Sequence, residues 1–179
     1  MPTPLAPAEF GAMFESFKSS AFRLETLDQY KVPEEAAEFQ RFLDGEPLSQ
    51  NQNRDWCDFV SEAIKNGKRM TRVRIIPVPL TSYLRFEFEW GYAYSAAAGE
   101  QILVLERTAA DGLGISDVRD FWLFDDETIV RMLYGDDGRF NGGARENDAA
   151  TKARLMNLRD TLLREAVPFR EYLKRVRSA

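Results

Sequence analysis

The stretch from Met70 to Arg107 constrains this chain more than any other, because it reads as strand, helix, strand. MTRVRIIPVP (70–79) alternates and is rich in β-branched residues, and Pro77 and Pro79 close it, which predicts a strand. Thr81 suits the N-cap of TSYLRFEFEWGYAYSAAAG (81–99), which predicts one long helix or two halves breaking near Gly91. YLRFEFEW also alternates as a strand would, but the Ala-Ala-Ala-Gly ending has the form of a helix terminus. ILVLER (102–107) reads as a short buried strand. Strands joined by a helical crossover pair in parallel, so 71–76 is expected beside 102–106.

The rest of the chain dresses this unit. Phe10, Met13, Phe14 and Phe17 fall at helical spacing, and Pro33 followed by EEAAEFQRFLDG predicts a helix ended by Gly45 and Pro47. A polar loop follows over 47–53. Asp55 to Lys65 predicts a helix with Trp56, Phe59, Val60 and Ala63 on one face, stopped at Asn66-Gly67. FRLETLDQY (22–30) is a short strand or extended segment, and DFWLFDDETIVRMLYG (120–135) is two strands around an Asp125-Asp126 turn. FWLF is apolar at every position, as a strand covered on both faces requires, so Trp122 and Phe124 are expected in the core rather than on a stacking platform for nucleic acid. Segments 108–118 and 136–143 read as loops, and 149–177 as a helix that Pro168 kinks or divides. The expected fold class is α/β: a layered mixed sheet, with a parallel core pair and an antiparallel extension, covered by helices. Residues 1–9 are expected to be loose and 10–179 to form a single domain.

Composition removes much chemistry. The chain has no histidine, so Ser-His-Asp and Cys-His nucleophile systems and histidine metal sites cannot be built from it. One cysteine, Cys57, excludes an internal disulfide; between Trp56 and Asp58 it is expected as a small buried hydrophobe. The net charge of −5 gives no general field for nucleic acid, so no direct nucleic-acid contact is expected. No apolar run approaches the roughly 20 residues of a membrane span, and MPTPLAPAEF has no signal-like pattern, so the cytoplasm is the expected location. No cofactor and no metal site is expected.

Two clusters carry candidate chemistry. Alternation puts Arg72 and Arg74 on one face of their strand, with Arg85 on the next element; such a cluster could hold a phosphate or carboxylate ligand. The alternative is a solvated strand face paired with acids such as Glu87 or Glu106. Asp125 and Asp126 form the acidic counterpart, as ligand contacts or simply as turn residues. From Arg145 onward nine basic residues face five acids, while 120–138 holds six acids and only Arg131. That asymmetry suits docking of the last helical segment on an acidic face of the same chain or of a partner; the alternative is complementation of a helix dipole.

FRLETL (22–27), FLDGEP (42–47), Trp56, GKRMTRVRIIPVPLTSYLRFE (67–87), AAGE (97–100) and DFWLFDD (120–126) together resemble an uncharacterised actinobacterial family, domain of unknown function 6879, across roughly 10–175. Members are often encoded beside, or fused to, helix-turn-helix regulators. The resemblance therefore implies a non-enzymatic regulatory or protein-interaction role, with a helix-turn-helix DNA-binding protein as partner; it carries no catalytic residues. The topology is also similar to one half of a phospholipase D-like domain, whose His-x-Lys-x4-Asp motif precedes the corresponding turn. Aligning its aspartate with Asp126 puts Arg119 and Phe121 at the histidine and lysine; aligning it with Asp125 puts Val118 and Asp120 there. Neither register keeps the nucleophile. The alternatives to a regulatory domain are a sensor for a phosphate- or carboxylate-bearing small ligand, using Arg72, Arg74 and Arg85, and a phosphodiesterase-like hydrolase using Asp125 and Asp126.

Overall fold

The alternation of residues 69–76 becomes the centre of a mixed sheet in a computed structural model, which describes residues 1–48 and 53–178. The elements in chain order are β1 (Thr3–Pro4), α1 (Pro7–Ser16), β2 (Ser20–Glu25), a 3-10 turn (Pro33–Glu35) leading into α2 (Ala36–Leu43), α3 (Arg54–Lys65) and β3 (Arg69–Ile76). The crossover follows as α4 (Ser82–Phe86), a π-helical turn (Glu87–Gly91) and α5 (Tyr92–Ala98), then β4 (Gln101–Glu106) and α6 (Arg107–Gly112). The chain continues with β5 (Phe121–Phe124), β6 (Thr128–Tyr134), β7 (Phe140–Arg145), α7 (Ala149–Glu165), β8 (Val167–Pro168) and α8 (Phe169–Ser178). Residues 49–52 of the expected polar loop lie outside the described residues.

The sheet order is β1-β7-β6-β5-β2-β3-β4-β8. The expected parallel pairing of β3 with β4 is present, with Thr71 opposite Gln101 and Ile76 opposite Glu106. A third parallel strand, β2, joins β3 on its other side. The remaining pairings are antiparallel. The helical reading of 81–99 holds, with Thr81 accepting the Leu84 amide and Gly99 ending it at φ 111. At Gly99 any side chain would also strike Ile64, because a Cβ there would lie 2.8 Å from its Cγ1. Asp125 and Asp126 both take positive φ, 54 and 57, as a tight hairpin turn requires.

Three expectations fail for local reasons. Residues 136–143 are not all loop: β7 begins at Phe140. Gly142 and Gly143 conceal the strand signal, and Gly143 is needed because a Cβ there would lie 2.9 Å from Val130 Cγ1. The 108–118 segment holds most of α6, whose glycines read as loop but fall at its end. Within 1–9, Thr3–Pro4 pairs with β7 and Pro7 starts α1, so this segment is held by an edge pairing rather than loose.

One face of the sheet packs Phe22, Leu24, Val73, Ile75, Leu103, Phe121 and Leu123 against Leu155, Leu158 and Leu162 of α7. On the opposite face Met70, Trp122, Phe124 and Val130 meet α1 and α3, with Trp122 and Phe124 buried as expected. Farther along that face Ile102 and Val104 meet Leu84, Phe88 and Tyr92, with Phe169 and Tyr172 of α8 closing over them. Between these apolar zones, in the middle of the same face, lies a patch of buried charge.

Candidate functional site

Pairing register creates the patch. Arg23 of β2 lies directly opposite Arg72 of β3, and Glu25 opposite Arg74, while Arg23 also faces Trp122 of β5. All four charged side chains therefore project from one face, over the centre of the sheet. Helices cover that face, so the charges are buried: Arg74 is 1% exposed, Arg23 3% and Glu25 7%. The reading of a solvated strand face does not hold, nor do its suggested partners. Arg72 donates to Glu100 Oε1 at 2.8 Å and Glu25 Oε1 at 2.7 Å. Arg74 donates to Glu25 Oε2 at 3.1 Å and to the Leu27 carbonyl at 2.7 Å. Arg23 donates to Asp120 Oδ2 at 2.8 Å and to the Tyr134 hydroxyl at 2.9 Å.

Burial opposes charging every one of these groups, and the mutual ion pairs overcome it. For Glu25, desolvation is outweighed by Arg72, Arg74 and Arg23, which hold its carboxyl down at about 2. The arginines are held charged in the same way, Arg72 chiefly by Glu100 and Arg23 chiefly by Asp120, against desolvation. Aromatic faces complete the support. Arg74 stands 4.5 Å from the Tyr30 ring centroid, and Arg72 lies between Trp56 at 5.8 Å and Tyr92 at 5.9 Å.

A pocket opens above the patch in two adjoining parts of about 550 Å³ and 310 Å³ that share Glu25, Glu35, Arg72, Glu87, Met132 and Tyr134. Tyr30 and Tyr83 line the first part; Trp56, Tyr92 and Trp122 line the second. A larger depression of about 880 Å³ lies beside them under Thr26–Gln29 and Gly135–Gly138. The smaller pair is the better candidate because orphaned buried polar atoms surround it: among the described residues Arg23 Nη1, Arg74 Nε and Glu87 Oε1 have no hydrogen-bond partner. Glu87 sits in the π-helical turn, a kind of irregularity that often marks functional positions. Its desolvation, reinforced by Glu35, raises its carboxyl to about 8. Glu35, which accepts the Tyr83 hydroxyl at 3.0 Å, is also raised, chiefly by burial.

The sequence-predicted residues separate. Arg72 and Arg74 line the pocket. Arg85 is exposed on α4 and lines neither part. Asp125 is a structural cap at the start of β2: it accepts the amides of Lys18, Ser19 and Ser20 and the Ser19 hydroxyl. Burial works against its charge, but those donors hold its carboxyl at about 2. Asp126 pairs with Arg159 of α7 at 2.6 Å. That pair links α7 to the acidic hairpin turn. Cys57 is half-buried rather than buried, with its thiol pushed up by burial.

Sequence reading missed Arg23, Glu25, Asp120, Glu35 and Glu87. For the first two the signal was present: FRLE (22–25) alternates apolar and charged residues as RVRI (72–75) does. A mixed α/β sheet carrying a buried, charge-lined pocket on one face defines this protein as an α/β domain with a concave polar site. The chain belongs to the family described as Domain of unknown function (DUF6879), which it matches over residues 8–174. Among curated proteins none matches it.

Proposed function

We propose that this domain binds a small polar ligand in the sheet-face pocket and transmits its occupancy to a partner protein without transforming the ligand. The observation that carries the reading is the set of three buried, unpartnered polar atoms around an aromatic-walled cavity. A buried ionic cluster stabilises a fold poorly compared with apolar side chains of equal volume, so its place on a central sheet face calls for another use. Ligand contact supplies one.

The partner is a helix-turn-helix regulator by family association, and a tagged copy of the chain should recover such a protein; recovery of nothing specific removes that part. The phospholipase D-like alternative rests on an expected likeness of topology alone. A phosphodiesterase built on Asp125 and Asp126 is disfavoured, because one carboxylate is filled by backbone amides and the other by Arg159. The direct test is thermal-shift screening with amines, amino acids, nucleobases, sugar phosphates and simple anions. A ligand at 100 times its Kd adds about 2.7 kcal/mol, which moves Tm by roughly 5–11 °C in a domain of this size. A flat response to the whole panel overturns the reading.

A further inference from the structure

We propose that the recognition element of the pocket is the carboxyl pair Glu35–Glu87, and that the ligand is a small organic cation, an amine or guanidinium, held between these acids and the surrounding tyrosine rings. This rests on the ligand-binding reading above and narrows it. Charge matching is the first ground. Arg23, Arg72 and Arg74 already meet Glu25, Glu100 and Asp120, whereas among the described residues neither Glu35 nor Glu87 takes part in an ion pair. Lys31 and Arg139, which also line the first part, are met by Asp137, so Glu35 and Glu87 stand without a cation of their own among the described residues. Glu87 is only 8% exposed, its Oε1 is unpartnered, and its side chain lines both parts of the pocket.

Shape and wall chemistry agree. Gly91 follows Glu87 by four residues and lies beside its carboxyl, both oxygens being within ordinary contact distance, 3.4 Å, of where a Cβ would stand. Tyr83 and Tyr134 line the same space, beside Tyr30 whose ring already faces Arg74, and ring faces attract cations. An anion fits less well. Each arginine already shares its charge with a carboxylate, Arg23 with Asp120, Arg72 with Glu25 and Glu100, and Arg74 with Glu25, and an anion in the pocket would meet Glu35 and Glu87 as well; the orphaned donors Arg23 Nη1 and Arg74 Nε sit on different arginines and suit a hydroxyl or carbonyl oxygen of the ligand.

The proposal has a pH signature. Glu87 is faced by Glu35 from the 3-10 turn, Glu25 from β2, Arg72 and Arg74 from β3, Tyr83 from α4 and Tyr92 from α5. Near neutral pH its carboxyl holds a proton, which a bound cation must displace. Affinity for cations therefore rises with pH.

The test is isothermal titration of the full chain with n-butylamine, methylguanidinium and tetramethylammonium, against acetate and inorganic phosphate, at pH 6, 7 and 8. Cations should bind and anions should not. Affinity should rise roughly tenfold or more from pH 6 to pH 8, with close to one proton released at pH 7 when buffers of different ionisation enthalpy are compared. Glu87→Gln should abolish both binding and the pH slope, with Glu35→Gln as the second variant if the first does not fold; Glu89→Gln, at an exposed position of the same turn, should change neither. If an anion or a neutral molecule binds instead, without proton release, the cation assignment falls and the pocket remains a ligand site. If neither this set nor the broader thermal-shift panel binds, both fall.

Discussion

Glu25→Gln should be among the most damaging conservative substitutions in this chain. Glu25 is shared by Arg72 and Arg74 through direct hydrogen bonds, with Arg23 Nε 3.6 Å away. After substitution Arg72 keeps Glu100 and Arg23 keeps Asp120. Arg74 keeps only the Leu27 carbonyl and the Tyr30 ring face, at 1% exposure. Removing one partner of a buried ion pair costs about 3–5 kcal/mol, because the other charge stays desolvated. At roughly 2–4 °C per kcal/mol for a chain of this size, Tm should fall by roughly 6–20 °C. Urea denaturation followed by circular dichroism should show the midpoint falling while the m-value stays constant. The deficit should shrink in acid. A carboxyl held at about 2, below its ordinary value, stabilises the wild type above pH 4.5, and this contribution is lost as pH falls through about 2. The double variant Glu25→Gln/Arg74→Met should be more stable than the single, since it removes the stranded charge together with its partner. A loss below about 1 kcal/mol for Glu25→Gln, or a double variant no more stable than Glu25→Gln alone, would refute the reasoning.

Trp122→Ala should cost roughly 3–5 kcal/mol, measured as a fall in the denaturation midpoint, because the ring is buried beside Phe14, Trp56 and Phe124. Asp125→Ala should destabilise the chain by roughly 1–3 kcal/mol, since it leaves the amides of Lys18, Ser19 and Ser20 without an acceptor, whereas Asp126→Ala should cost under about 1 kcal/mol by breaking an exposed pair; thermal melts of both variants check the order. Tyr172→Ala should lose roughly 1.5–3 kcal/mol, since α8 is packed through this ring on Phe88 rather than being a solvated basic tail; urea denaturation reads the loss. Arg85→Ala should stay within about 0.5 kcal/mol of wild type and keep every ligand response, which thermal shift measures directly.

The parts of the fold that were legible in sequence are those where one local pattern decides. Residues 70–106 announced strand, helix and strand through alternation, an N-cap threonine and a terminal Ala-Gly, and the register of β3 on β4 followed. Asp125-Asp126 announced a hairpin because both residues tolerate positive φ. What escaped was long-range. Nothing local says that residues 20–25 pair in parallel with 69–76, with 26–68 between them, so Arg23 and Glu25 could not be set beside Arg72 and Arg74. Without that register the arginines looked free for an anion; with it they are matched. β7 was hidden because its glycines serve a close approach to Val130 rather than a loop. Glu87 carried no signal either, because it lies among Phe86, Phe88 and Trp90 on a helix, and only the fold shows which of that helix's acids turns inward.

The central claim is that Glu87 presents a desolvated, uncompensated carboxyl to the pocket. Carbon-13 NMR of the glutamate side-chain carboxyls tests it most directly, with the Glu87 resonance assigned by its loss in Glu87→Gln. The account predicts that this carboxyl titrates at about 8, raised by burial and then by Glu35, while Glu25 titrates at about 2. A Glu87 midpoint at the ordinary carboxylate value near 4.5 would contradict it, because the carboxyl would then be solvated and the pocket would have no acid in reserve for a ligand.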